Sequence, residues 1–179
     1  VFALFSVALG ATTVFPDLDP TRPARLDPRL WVEEIHNHGV TYSFGSPAIW
    51  WPVMRHCQAE GLLLPSLKRV LMAGCPVPPA LHEGLAKLLS PDARTHTPYG
   101  ATEALPVSTI DGFALRETFA QTRAGAGVCV GTPLPGVEVR IAAVSDEPLA
   151  SWDEATLLSE PGQRGEIVVA GPQVTKAYC

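Results

Sequence analysis

The sequence predicts an α/β fold built on a parallel sheet, and three observations carry that prediction. Residues 1–98 alternate short apolar runs with stretches of helical periodicity, as in a parallel sheet flanked by helices. Three successive predicted strand ends carry small or ring-constrained residues: Gly45-Ser46-Pro47, Gly74-Cys75-Pro76 and Pro98-Tyr99-Gly100. Beyond Glu103 the texture changes. Val137, Val139 and Ile141 there alternate with Glu138 and Arg140, the period-two signal of a half-buried strand.

Each element has its own reason. The chain opens with an uncharged run over residues 1–16, interrupted by Ser6, Gly10 and the Thr12-Thr13 pair. A membrane span needs roughly 20 apolar residues, and a signal peptide would want a basic start. The run is therefore expected to be a buried helix leading into a buried strand at 11–15. Asp27-Pro28 suits an N-cap and first helical position, with Gly39 just past the end and Trp31, Val32 and Ile35 on the inner side. A strand is expected at 41–45. A helix follows within 47–60, which Pro52 should kink or delay. The apolar 70–73 is a strand, and Leu81, Leu85 and Leu88 form one helical stripe. Residues 94–97 complete the alternation. Residues 125–136, rich in glycine and proline, mark an expected switch to antiparallel β near 125. The acidic 146–162 is read as a solvated loop or hairpin tip, with 166–170 as the partner strand.

Composition narrows the function. The chain has 179 residues, enough for one domain with a core, and 46% of them are apolar. A net charge of −5 without a basic stripe argues against nucleic acid as a partner. Four cysteines at 57, 75, 129 and 179 fit neither a zinc pattern nor a disulfide framework. Reduced thiols and a cytoplasmic location are the expectation.

The chemistry concentrates in Tyr99-Gly100-Ala101-Thr102-Glu103. An aromatic face can stack on a base, and glycine lets backbone approach a phosphate. The Thr102 hydroxyl can donate to a phosphate oxygen, and Glu103 can hold Mg2+, which takes one or two carboxylates plus nucleotide phosphates. Structural alternatives stand beside these: Tyr99 as a tyrosine capping the sheet, Thr102 as a cap for the next element. His36 and His38 lack a third metal ligand. Cys75 with His82 or His96 would make a nucleophile pair, but no local signature supports it. Gly125-x-Gly127 fails the dinucleotide fingerprint, because Val130 occupies the third glycine position.

Three blocks, in order, resemble the adenylate-forming superfamily of acyl-CoA synthetases, peptide-synthetase adenylation domains and luciferases. Ala73-Gly74-Cys75-Pro76-Val77 resembles its adenine-binding segment, with Cys75 in place of the usual alanine. Residues 99–103 match its Tyr-Gly-x-Thr-Glu signature. Gly131-Thr132-Pro133-Leu134-Pro135-Gly136-Val137 and Gly165-Glu166-Ile167, with Val174-Thr175-Lys176, match its later blocks. The run from His96 to Val107, with Pro20-Thr21-Arg22-Pro23-Ala24 and residues 125–131, is similar to the β-lactone synthetases of bacterial olefin biosynthesis.

The resemblance implies ATP-dependent activation of a long-chain β-hydroxy acid as its acyl-adenylate, then closure to a β-lactone with release of AMP. It implies that Gly74, Cys75 and Pro76 line the adenine side, and that Tyr99 stacks on the ring. Thr97 and Gly100 would approach the nucleotide with backbone. Thr102 would contact the α-phosphate, Glu103 would hold magnesium, and Phe44 and Ala104 would lie near the acyl group. ATP/AMP and Mg2+ are the implied cofactors; a small acyl substrate and other olefin-biosynthesis enzymes are the implied partners.

Residues 1–124 would be part of the α/β AMP-binding subdomain, and 125–179 the start of a small antiparallel β-barrel. Together they would be an internal fragment of the large N-terminal domain. The family's phosphate loop and its small C-terminal domain with a catalytic Lys have no counterpart here, so these residues alone are expected to be inactive. The alternatives are a fatty-acyl-CoA ligase, a non-catalytic nucleotide-binding or interaction module, and a Cys75-dependent enzyme.

Overall fold

The computed structural model describes residues 6–17, 19, 21–22, 25–147, 157–158, 160 and 162–177. The chain divides into two units, residues 1–97 with 110–130 and residues 98–109 with 131–179. Two strands, β3 (Arg94–Ala101) and β4 (Ala104–Asp111), run from one unit into the other.

The first unit is the predicted α/β structure. Helix α1 (Pro28–His38) begins where Asp27 accepts a 2.9 Å hydrogen bond from the Arg29 backbone N–H. It ends at Gly39, whose φ of 57° and ψ of 41° are left-handed. Strand β1 (Tyr42–Gly45) pairs in parallel with β2 (Arg69–Met72), Tyr42 opposite Arg69 and Gly45 opposite Met72. β2 pairs in parallel with β3, Arg69 opposite Arg94 and Leu71 opposite His96.

Between β1 and β2 lies α2 (Pro47–Glu60), which runs unbroken through Pro52. The expected delay does not occur. The carbonyl that Pro52 leaves without a helical donor belongs to Ala48, an exposed residue near the start of the helix. Helix α3 (Pro79–Ala86) buries Leu81 and Leu85 completely, with Leu88 at 5% exposure just beyond its end. Trp50, Val53, Cys57, Leu64, Leu67, Val70 and Met72 are also fully enclosed. Trp31 and Trp50 meet edge to face at 6.2 Å.

The expected strand at 11–15 is absent, and Phe15 is 71% exposed. Thr12, Thr13 and Val14 carry β-propensity, but propensity needs a pairing strand to act on, and these residues enter no sheet. The helix expected before it is described only at 6–8, with Val7 and Leu9 exposed; residues 1–5 lie outside the described set. Residues 110–130 add α4 (Gly112–Glu117) and α5 (Phe119–Gln121), which bury Leu115 and Phe119 and which the sequence left unassigned. Asp111 caps α4, accepting from the backbone of Phe113 and Ala114 at 2.8 and 3.0 Å.

The second unit is antiparallel. β3 does not stop at Pro98 but continues to Ala101, and Thr102 and Glu103 form the turn into β4. β4 pairs with β5 (Thr132–Pro133), Ser108 opposite Pro133. Antiparallel pairing thus begins well before residue 125. A separate three-stranded sheet places β6 (Glu138–Ala142) between β7 (Leu157–Leu158) and β8 (Glu166–Ala170), with Glu138 opposite Ala170 and Ile141 opposite Ile167. Most of the acidic stretch at 146–162 lies outside the described residues. Among the described residues no helix is long and apolar enough to cross a membrane.

Candidate functional site

In the second unit the 99–103 motif is a tight hairpin tip. Tyr99 is half-buried on β3, while Thr102 and Glu103 are exposed at the turn. Gly100 is there for space. A Cβ on it would collide with the Ala104 carbonyl oxygen and come within 2.9 Å of Leu105 Cδ1. The turn is tied to a distant part of the sequence: the Thr175 backbone N–H donates to the Glu103 carbonyl oxygen at 2.7 Å. Gln173 Nε2 donates to the Pro106 carbonyl at 3.2 Å. These two contacts are invisible in the sequence, because nothing in 173–175 names a partner some seventy positions earlier. Ala104, half-buried, opens β4 directly after the turn.

The donor set of this turn suits a phosphate-bound divalent cation. It offers one exposed carboxylate and one neighbouring hydroxyl, and magnesium completes such a set from nucleotide phosphates and water. Among the described residues no group of three His, Cys, Asp or Glu side chains could hold a metal unaided.

In the first unit two predicted strand ends do adjoin. Gly74, just past β2, has a φ of 95°, and a Cβ on it would lie 3.9 Å from Ser46 Cβ, just past β1. That left-handed conformation favours glycine and leaves the backbone open. Cys75 and Pro76 are exposed, and Cys75 is a free thiol. Pro76 borders an apolar hollow of about 80 Å³ with Val77, Pro79, Leu115 and Phe119. Phe44, half-buried on β1, sits opposite Leu71.

Thr97, half-buried on β3, belongs to a buried polar cluster that sequence reasoning missed. Its Oγ1 lies 3.2 Å from His82 Nε2, and His82 Nδ1 lies 2.8 Å from Thr95 Oγ1. Burial, with a smaller effect from His96, pushes the His82 imidazole down to about 4, so it is neutral at pH 7. Both its nitrogens are engaged with threonines rather than with Cys75. The available signal was Thr95-x-Thr97, one face of a strand, together with a histidine in the Leu81/Leu85 stripe. His36 Nε2 meets the Leu63 carbonyl at 2.8 Å, and His38 pairs with Glu34 at 3.2 Å, so each has an ordinary structural partner.

The AMP-binding enzyme family matches residues 1–179, and the chain belongs to that family. Within it, the chain is 50% identical to an olefin β-lactone synthetase of Stenotrophomonas maltophilia, over 99% of this chain and 31% of that protein. A second olefin β-lactone synthetase, from Xanthomonas campestris, is 47% identical over the same shares. Among solved structures, unliganded O-succinylbenzoate coenzyme A synthetase of Bacillus subtilis superposes with a TM-score of 0.68 at 24% identity, covering 98% of this chain and 32% of that one. A long-chain-fatty-acid-CoA ligase of Archaeoglobus fulgidus gives 0.64, also at 24% identity, over 86% of this chain and 29% of that one. The fold is therefore that of adenylate-forming enzymes, and the chain spans about a third of the curated relatives it matches.

Proposed function

We propose that the full-length protein activates a long-chain β-hydroxy acid with ATP and closes it to a β-lactone. The acid's carboxylate oxygen attacks the α-phosphorus of ATP, and pyrophosphate leaves. The β-hydroxyl oxygen then attacks the acyl carbonyl, the bond from that carbonyl to AMP breaks, and the hydroxyl proton passes to solvent. The observation that carries this reading is the 99–103 hairpin tip: ring, glycine, hydroxyl and carboxylate on one turn whose backbone is pinned by Thr175. The 50% identity to a protein named olefin β-lactone synthetase supports the choice of acid.

Each residue has a distinct task. Tyr99 stacks on the adenine, and the backbone at Thr97 and Gly100 approaches the nucleotide. Thr102 donates to the α-phosphate, and Glu103 would hold Mg2+, whose contribution when bound would be neutralisation of phosphate charge. Gly74, Cys75 and Pro76 serve the adenine side. Phe44 and Ala104 serve the acyl group. The work is positioning and charge neutralisation rather than covalent catalysis. The setting is the cytoplasm, with other olefin-biosynthesis enzymes supplying the acid and consuming the lactone. Residues 1–179 alone release no appreciable pyrophosphate.

The test supplies a long-chain β-hydroxy acid and ATP to the full-length protein, with and without coenzyme A. Lactone and AMP formed without coenzyme A support the proposal. Acyl-CoA as the sole product assigns the protein to the acyl-CoA ligases instead. No AMP from any acid leaves only a nucleotide-binding module.

A further inference from the structure

The buried His82 cluster has no part in the chemistry above, yet it touches one of the residues assigned to the nucleotide. Thr95 and Thr97 are two apart on β3 and so present their side chains to the same face. His82, on α3 and only 2% exposed, is bracketed by both hydroxyls at 2.8 and 3.2 Å. The start of α4 closes the third side. A Cβ on Gly112 would strike Thr95 Oγ1 and stand 3.0 Å from His82 Nδ1, so only glycine lets the start of α4 lie this close to the pair.

A neutral imidazole carries one N–H and one bare nitrogen. One threonine must therefore accept from the ring while the other donates to it. Each hydroxyl keeps a defined direction, and β3 is held against α3 at Thr97, its last residue before the Pro98-Tyr99-Gly100 segment. A leucine at position 82 would fill the space without giving that directional hold.

We propose that His82 is a positioning residue for nucleotide binding, fixing Thr97 through Nε2 while Thr95 anchors the other side of the ring. The inference rests on the proposed nucleotide role of Thr97.

The test compares four variants of the full-length protein by ATP-dependent pyrophosphate release, with melting temperature as a parallel readout. In H82N the side-chain amide reaches as Nδ1 does, keeping Thr95 and losing Thr97. In H82Q it reaches as Nε2 does and keeps Thr97. Losing one hydrogen bond of this kind should raise the KM for ATP by about 3- to 10-fold in H82N, with kcat changed less. H82Q should stay within about twofold of the unmodified protein. T97V should match H82N, and the H82N/T97V double variant should be no worse than either single one.

A purely structural histidine would lower the melting temperature in H82N and H82Q alike and leave the KM for ATP unmoved in both. That result overturns the inference. A raised KM in T97V with none in H82N overturns the inference, and so does an unchanged KM in T97V, which removes only the hydroxyl and leaves the backbone assignment of Thr97 standing. Where H82N does not fold, the ring 15N shifts of His82 in the unmodified protein decide. They should move when AMP binds, and an unmoved ring with AMP heat detected by calorimetry overturns the inference.

Discussion

Strands β2 and β8 are of similar length and similarly apolar, and they are buried to very different depths. In β2, Val70 and Met72 are fully enclosed beneath the core that α1, α2 and α3 complete. In β8, Ile167 is 46% exposed, and Val168 and Val169 are only half-buried. The difference separates two roles. The first unit invests its apolar area in a rigid platform of parallel strands, and the second uses backbone pairing to hold a turn. Stability should therefore be concentrated in the first, and sensitivity to small backbone changes in the second.

The largest effect should come from Trp50→Ala, which empties a fully buried site beside Trp31 and should cost about 3–5 kcal/mol by chemical denaturation. A truncation in the second unit's three-stranded sheet, Ile167→Ala, should cost less than about 1 kcal/mol. Equal costs would erase the contrast. Gly100→Ala should fall between them in stability yet reduce ATP-dependent turnover by at least about tenfold. Its Cβ strikes the Ala104 carbonyl and forces the hairpin tip apart. Normal turnover in that variant would show that the tip tolerates distortion.

A further effect concerns pH. The His82 imidazole sits near 4 in the folded chain against 6.5 for the free group. Between those values the unfolded chain binds more protons than the folded one, so stability is lost as pH falls through that window. His96, also lowered by burial and by Arg69, acts in the same direction. His82 alone should contribute about 3 kcal/mol across the window, at about 1.4 kcal/mol per unit. Melting curves of H82Q between pH 7 and pH 4 should lose that part of the dependence. A profile identical to the unmodified protein would assign the effect elsewhere.

The platform was legible because its signals are local. Asp27-Pro28 and Gly39 bound α1, and the Leu81, Leu85 and Leu88 spacing placed α3. The partner strands read at 137–141 and 166–170 do pair, as β6 with β8, but elsewhere the sequence did not supply pairing. The β-branched 11–15 segment looked like a strand and enters no sheet among the described residues, while polar β3 pairs with β2 over Arg94–His96 and continues past Pro98. The candidate turn at 99–103 could be read as a motif. Its tie to Thr175 and the His82–Thr97 contact could not, since both join residues whose proximity only the folded chain creates.

The central claim is that the 99–103 turn serves ATP and its metal, and Glu103→Gln in the full-length protein tests it most directly. The substitution keeps size and one acceptor oxygen while removing the charge. Pyrophosphate release with a long-chain β-hydroxy acid, titrated with Mg2+, should need at least about tenfold more magnesium to reach half its maximum, with maximal turnover also reduced. A magnesium titration superimposable on that of the unmodified protein would contradict the account.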